Sequence, residues 1–180
     1  MESRNEVRHK RHDLETVVPL KVPFRLDIEI FGGCNFKCSF CPNNNEEYLK
    51  SERHQVMSME TFKNLVDSIQ EMEQEAGGEK IKVIYIGGHG EPLLHREFPD
   101  MISYLKKKQV CREVRVVSNG SMLHPGLNQK IVESGLDMLR ISVEALSGEG
   151  YRKLCGVDLD FHRFVDHISD LYRRSVSGGG

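Results

Sequence analysis

Short apolar runs alternate along the chain with longer stretches in which apolar residues recur every three or four positions. Phe24-Arg25-Leu26-Asp27-Ile28-Glu29-Ile30-Phe31 reads as a strand that Gly32 and Gly33 end. Ser58 then has the character of a helix N-cap, with Glu60 in the first turn. Met59, Phe62, Leu65, Val66, Ile69 and Met72 follow at helical spacing until Gly77 and Gly78 stop the helix. Ile81–Ile86 is almost continuously apolar, as expected of a parallel strand covered on both faces. Phe98, Met101, Ile102 and Leu105 predict a second helix, closed by Lys106–Lys108 where cations suit the helix dipole.

Val114–Val117 predicts a third strand, closed by Ser118-Asn119-Gly120, and Leu127, Ile131 and Val132 a short helix ended by Gly135. Leu136–Val143 is the fourth strand, and Phe161, Phe164, Val165, Ile168, Leu171 and Tyr172 form a last helical face. The order βαβαβαβα implies a parallel α/β sheet with right-handed crossovers. Four such units form a curved sheet but cannot close an eight-stranded barrel.

Composition bounds the reading further. With 180 residues the chain can build one domain with a core. We divide it into a polar tail at 1–22, a core at 23–174 and a glycine-rich tail at 175–180. A formal net charge of -2 gives no bulk attraction to nucleic acid, and Lys10-Arg11-His12 reads as a solvated run. The N-terminus lacks the apolar stretch of a signal peptide, and no segment is long enough to span a membrane. The cysteine count is five, an odd number, and three of the five are too closely clustered for a disulfide framework. A cytoplasmic, reducing setting is the expectation.

Those three cysteines carry the chemistry. Cys34-Asn35-Phe36-Lys37-Cys38-Ser39-Phe40-Cys41 has the spacing C-x3-C-x2-C and sits at the C-terminal end of the first strand. Soft thiolates favour iron–sulfur or zinc sites. Three of them can hold three corners of an iron–sulfur cube and leave the fourth iron open to a ligand. Zinc, with His54 or His89 as the fourth ligand, is the competing reading, although structural zinc sites usually use two separated pairs. The other strands also end in unusual loops, Gly87–Pro92, Ser118–Gly120 and Ser142–Glu144, and all fall on the rim where parallel α/β proteins bind ligands.

Together these motifs resemble the radical S-adenosylmethionine (SAM) enzymes over roughly residues 24 to 172. The cysteine spacing, with the aromatic Phe40 before the third thiol, is that superfamily's signature. Gly90-Glu91-Pro92 resembles its glycine-rich GGEP motif, with His89 where the first glycine often stands. Gly88–His95 and Tyr151–Gly156 look most like members that modify peptides or small metabolites, often with a SPASM extension. The resemblance implies a partial TIM barrel, with four βα units present of the six typical for the family. It implies a [4Fe–4S] cluster on Cys34, Cys38 and Cys41, and SAM bound by Phe40, Gly88, Gly90, Glu91, Pro92, Ser118, Asn119, Ser142 and Glu144. Glu144 stands where relatives often carry Asp.

The implied function is reductive cleavage of SAM to a 5′-deoxyadenosyl radical that takes hydrogen from a peptide or small-molecule substrate. An electron donor such as a flavodoxin or ferredoxin would feed the cluster. Two alternatives stand beside it. One is a truncated, non-catalytic relative that binds cluster and SAM and needs a partner or a missing C-terminal part; the other is a zinc-binding interaction module. Arg152 is either an offset for the cofactor carboxylate or an exposed helical arginine. Cys111 and Cys155 read as inert thiols, and His95 and His124 as turn residues at the rim. The fourth strand would be an open apolar edge that favours self-association.

Overall fold

The computed structural model describes residues 13–45 and 55–177. His54 and the basic run at 10–12 lie outside the described residues. Four strands, β1 (Arg25–Ile28), β2 (Ile81–Ile86), β3 (Cys111–Ser118) and β4 (Met138–Ile141), form one parallel sheet in chain order. The helices are α1 (Met59–Glu75), α2 (Phe98–Lys108), α3 (Pro125–Glu133), α4 (Gly148–Cys155) and α5 (Phe161–Ser177). When strand order equals chain order, every right-handed crossover falls on the same face. The helices therefore cover one side of the sheet, as in a wall of an incomplete barrel.

Ile28, Ile84, Ile86, Val114 and Val116 point into that covered side and are buried against Phe62, Val66, Phe98, Met101, Ile102 and Ile131. The opposite, inner face is built differently. Strand alternation puts Arg25 and Asp27, then Val83 and Tyr85, then Glu113 and Arg115, and finally Arg140 on that side. Val83 and Tyr85 are only half-buried, which corrects the expectation that β2 is covered on both faces. A strand reads as apolar throughout when helices close both sides, and here they close one.

Local chemistry sets the element ends. The Ser58 hydroxyl caps α1 by accepting from the Thr61 N–H at 3.0 Å. Glu73, buried near its far end, accepts from Lys80 Nζ at 2.8 Å and from the Ile81 N–H at 3.1 Å, tying α1 to the start of β2. In the lysine run, Lys106 pairs with Asp137 and Lys108 with Asp67, each at 2.7 Å. Those cations thus hold α2 to its neighbours as well as suiting its dipole.

β1 stops at Ile28 rather than Phe31. Beyond it, Ile30 and Gly32 pair with the segment ahead of α1, through Met57 N–H to Ile30 O and Gly32 N–H to Gln55 O, both 2.9 Å. β3 begins at Cys111, three residues before the predicted Val114, and β4 is confined to Met138–Ile141. α4 has no counterpart among the predicted elements. Its Ser147 cap accepts from the Gly150 N–H at 3.1 Å.

Candidate active site

The cysteine loop is held from below by α4. The last carbonyls of a helix have no partner within it, and here two of them are taken by the loop. Lys37 N–H donates to Cys155 O at 2.8 Å and Ser39 N–H to Leu154 O at 2.9 Å. Phe36 plugs the same place from its side. It is buried in a small second core with Tyr151, Cys155 and Phe164, its ring edge-on to Tyr151 at 6.0 Å. Cys41 then opens a 3₁₀ turn, Pro42–Asn44, by accepting from the Asn44 N–H at 3.0 Å.

Burial raises the pKa of the Cys34 thiol, against the N–H of Phe36 and the Asn119 amide, which favour the thiolate. Cys38 is pushed up to about 12, chiefly by burial, then by contact with the Cys155 thiol and the charges of Cys34 and Cys41. Three thiolates on one loop repel one another and need a cationic centre among them. Among the described residues no group of three His, Cys, Asp or Glu side chains is placed to hold a single metal ion. A multi-iron cluster fits the donor set better than zinc, because its irons reach separate thiols.

The loop after β2 is pressed against this structure, backbone to backbone. A Cβ on Gly90 would lie 1.7 Å from Phe31 O, so only glycine fits. Glu91 N–H donates to Gly33 O at 2.8 Å. Glu29 accepts from the His89 and Gly90 N–H groups at 2.6 and 3.0 Å, and Asn43 Nδ2 donates to the His89 carbonyl. Glu29 thus engages two of the amide groups at this strand end.

Glu91 turns inward. Its buried carboxylate accepts from the Leu93 N–H at 2.9 Å, and from Ser118 Oγ and the Asn119 N–H at 2.7 Å each. Burial raises its pKa, and the three donors pull the other way. Glu91 and Ser118 thus tie the second loop to the third. Asn119 continues the chain of contacts: its Nδ2 donates to Asn35 Oδ1 at 2.9 Å and reaches Cys34 Sγ at 3.8 Å, while its Oδ1 accepts from Ser121. Ser142 N–H donates to Ser118 O at 2.9 Å, which brings in the fourth strand end.

These loops enclose a cleft of about 470 Å³, within the size range of small-molecule sites. All three cysteines line it, with Phe40, Gly88, Gly90, Glu91, Ser118, Asn119, Ser142 and Glu144. Pro92 stands behind the loop, buried at the start of a 3₁₀ turn, and does not line the cleft.

A family model described as the radical SAM superfamily matches residues 28–178. The chain belongs to the radical SAM superfamily. Its cofactors are those of the family, a [4Fe–4S] cluster and SAM. A probable GTP 3′,8-cyclase of Methanococcus maripaludis is 33% identical over 131 residues, 73% of this chain and 39% of that protein. A tungsten-containing aldehyde ferredoxin oxidoreductase cofactor-modifying protein of Pyrococcus furiosus is 27% identical over 67% of this chain and 31% of its own. The chain thus spans about two fifths or less of the length of these curated relatives. Among solved structures, BtrN in complex with AdoMet and 2-DOIA has a TM-score of 0.62 at 18% identity, covering 84% of this chain and 55% of that one. Streptococcus suis SuiB bound to S-adenosylmethionine gives 0.62 at 15%, covering 92% and 34%. Both likenesses are of fold, and they fit a partial barrel.

Several residues of the cleft and its loops escape the motifs. Arg25, Asp27, Tyr85 and Arg140 line the cleft's inner wall, and Asn35, Asn43 and Glu29 brace its loops. The signal for the wall was the charge at every second position of β1. Two residues expected at turns sit there and do more. His95 is buried, donating from Nε2 to Met57 O at 2.8 Å because its Nδ1 accepts from the Glu97 N–H at 3.1 Å. His124 caps α3, with Nδ1 accepting from the Leu127 N–H at 3.4 Å. Arg152 is exposed and pairs with Asp158 at 2.6 Å, away from the cleft.

Proposed function

We propose that this chain is the SAM-cleaving core of a radical SAM enzyme acting on a peptide or small-molecule substrate. Cys34, Cys38 and Cys41 ligate the cluster in this reading, and the cleft above the four strand ends takes SAM. The observation that carries it is the single cleft lined by all three thiols and by every strand-end loop. The names of the relatives and neighbours lend support: they include nucleotide cyclases and proteins solved with AdoMet.

The bound cofactors supply one-electron cleavage of SAM and hydrogen abstraction, chemistry that belongs to them rather than to side chains. The chain's residues hold and exclude. Phe36 and the α4 carbonyls fix the thiol loop. Gly90 brings the second loop within reach of the first, and Glu91 and Ser118 lock the second to the third. Phe40, 62% exposed at the cleft mouth, offers an aromatic surface to the adenine. Asn119, Ser142 and Glu144 present polar groups to the ribose and the methionine end. Gly88 leaves room for the Glu29 carboxylate that braces the second loop, and Pro92 fixes the loop's exit. A flavodoxin or ferredoxin is the proposed electron source.

The test is anaerobic reconstitution with iron and sulfide, followed by SAM and a strong reductant. A brown protein that forms 5′-deoxyadenosine, and variants Cys34→Ala, Cys38→Ala and Cys41→Ala that hold no cluster, are the expected results. A folded, fully reconstituted chain that leaves SAM intact would overturn the reading.

A further inference from the structure

The interior of a parallel barrel is normally packed with Val, Ile and Leu, yet here the inner face below the rim carries Arg25, Asp27, Tyr85, Arg115 and Arg140 in successive rows. Arg140, the register partner of Val117, donates from Nη2 to Tyr85 Oη at 3.1 Å. Arginine has five N–H donors and no acceptor, so the phenol oxygen accepts in that bond and its proton points elsewhere. Among the described residues no acceptor takes the Tyr85 proton, and no carboxylate pairs with Arg140. Arg25 lies over the Tyr85 ring at 4.3 Å, its Nε donating to Asp27 at 2.9 Å.

Arg115, beside Tyr85 in the sheet, pairs with Glu113 at 2.6 Å, yet its Nε is buried with no acceptor. Donors outnumber acceptors around Tyr85, Arg115 and Arg140. Arg140 is exposed and Tyr85 half-buried, so their free donors face the open cleft and suit an entering group that is rich in acceptors and negative. A guanidinium fork matches the two oxygens of a carboxylate or phosphoryl group. Asp27 and Glu144 line the same cleft, which confines such a group to the corner made by Arg140 and Tyr85.

We propose that the substrate carries an oxyanion, a carboxylate or a phosphoryl group, anchored by Arg140 and Tyr85 on the inner face of the sheet. This rests on the reading of the cleft as the SAM site and names the substrate class it serves. The anchor holds the substrate's charged end one residue pair below the rim and leaves the rest directed toward the thiols and the SAM pocket.

The full chain, labelled with ¹⁵N, is titrated at fixed ionic strength with inorganic pyrophosphate and, separately, with succinate. Saturable shifts of the Arg140 Nε–H resonance are expected for at least one probe, and which one binds identifies the oxyanion. Arg140→Gln should weaken that binding tenfold or more, Arg140→Lys less, and the isosteric Tyr85→Phe severalfold. Arg112→Gln, an exposed arginine on the neighbouring strand β3 and outside the cleft lining, should bind as the parent does. Tyr85→Phe removes only an oxygen and keeps the test open if Arg140→Gln does not fold. Absence of saturation with both probes, or equal binding in Arg140→Gln or Tyr85→Phe, overturns the anchor. SAM binding, followed in parallel by equilibrium dialysis, separates the two claims: its failure alone counts against the SAM site and leaves the anion result standing.

Discussion

Gly90 and Gly88 sit two positions apart in the same loop and are needed for different reasons. A Cβ at Gly90 meets the Phe31 carbonyl, which is backbone and cannot step aside. At Gly88 it would meet the end of the Glu29 side chain, which can shift by giving up its bonds to the His89 and Gly90 N–H groups. Gly90→Ala should therefore destabilise the chain by about 2–3 kcal/mol and weaken SAM binding at least tenfold, while Gly88→Ala does much less. Urea unfolding and equilibrium dialysis read the two effects; equal behaviour of both variants would refute the backbone-contact account. The motif gave these positions their place in the sequence, but the contact that makes one of them obligatory involves a carbonyl on another loop. Glu91 teaches the same point. The resemblance implied a SAM contact for it, and it lines the cleft while its carboxylate also accepts from Ser118, Asn119 and Leu93 of the protein itself. Side-chain chemistry was readable, and the direction of the side chain was not.

At the level of elements, the parallel order and three of the four long helices followed from periodicity alone, because Phe62, Val66 and Ile69 or Phe98, Met101 and Ile102 mark one buried stripe each. α3 was placed by fewer apolar positions and by Gly135. α4 was missed since Gly148 and Gly150 are poor helix formers, and tertiary contact overrides that cost. A Cβ on Gly148 would come within 2.8 Å of Leu159 O and one on Gly150 within 2.7 Å of Ala145 Cβ. The strand ends shifted where the chain found other partners, as Ile30 and Gly32 did with Met57 and Gln55. Since α4 supports the thiol loop, removing its cap should reach the metal. Ser147→Ala is expected to lower stability by about 1 kcal/mol and to speed iron loss to a chelator several-fold. Thermal unfolding and the chelation rate of the reconstituted protein measure these, and an unchanged rate would show that α4 does not hold the loop.

For the whole molecule, helices on one side and a bare inner face on the other make a half-shell with its chemistry along one rim. The rim was legible from four loop motifs. The charged wall beneath it was not, because Arg25, Tyr85, Arg115 and Arg140 come from four strands and converge only through register. β4 is an edge of the described sheet, and Val143 beyond it is 50% exposed. Unpaired strand edges invite pairing with another chain, so the chain is expected to self-associate at high concentration, and Val143→Lys to reduce it. Sedimentation velocity across a concentration series decides; a monomer at every concentration would show the edge is covered. The grip of α4 on the cysteine loop also has a consequence for biosynthesis. Lys37 and Ser39 bond to the carbonyls of Cys155 and Leu154, which leave the ribosome long after the cysteine loop. Until then the three thiols have no platform, and contacts so distant in sequence form slowly. Stable cluster insertion is thus expected to wait until α4 has been made and has packed beneath the loop.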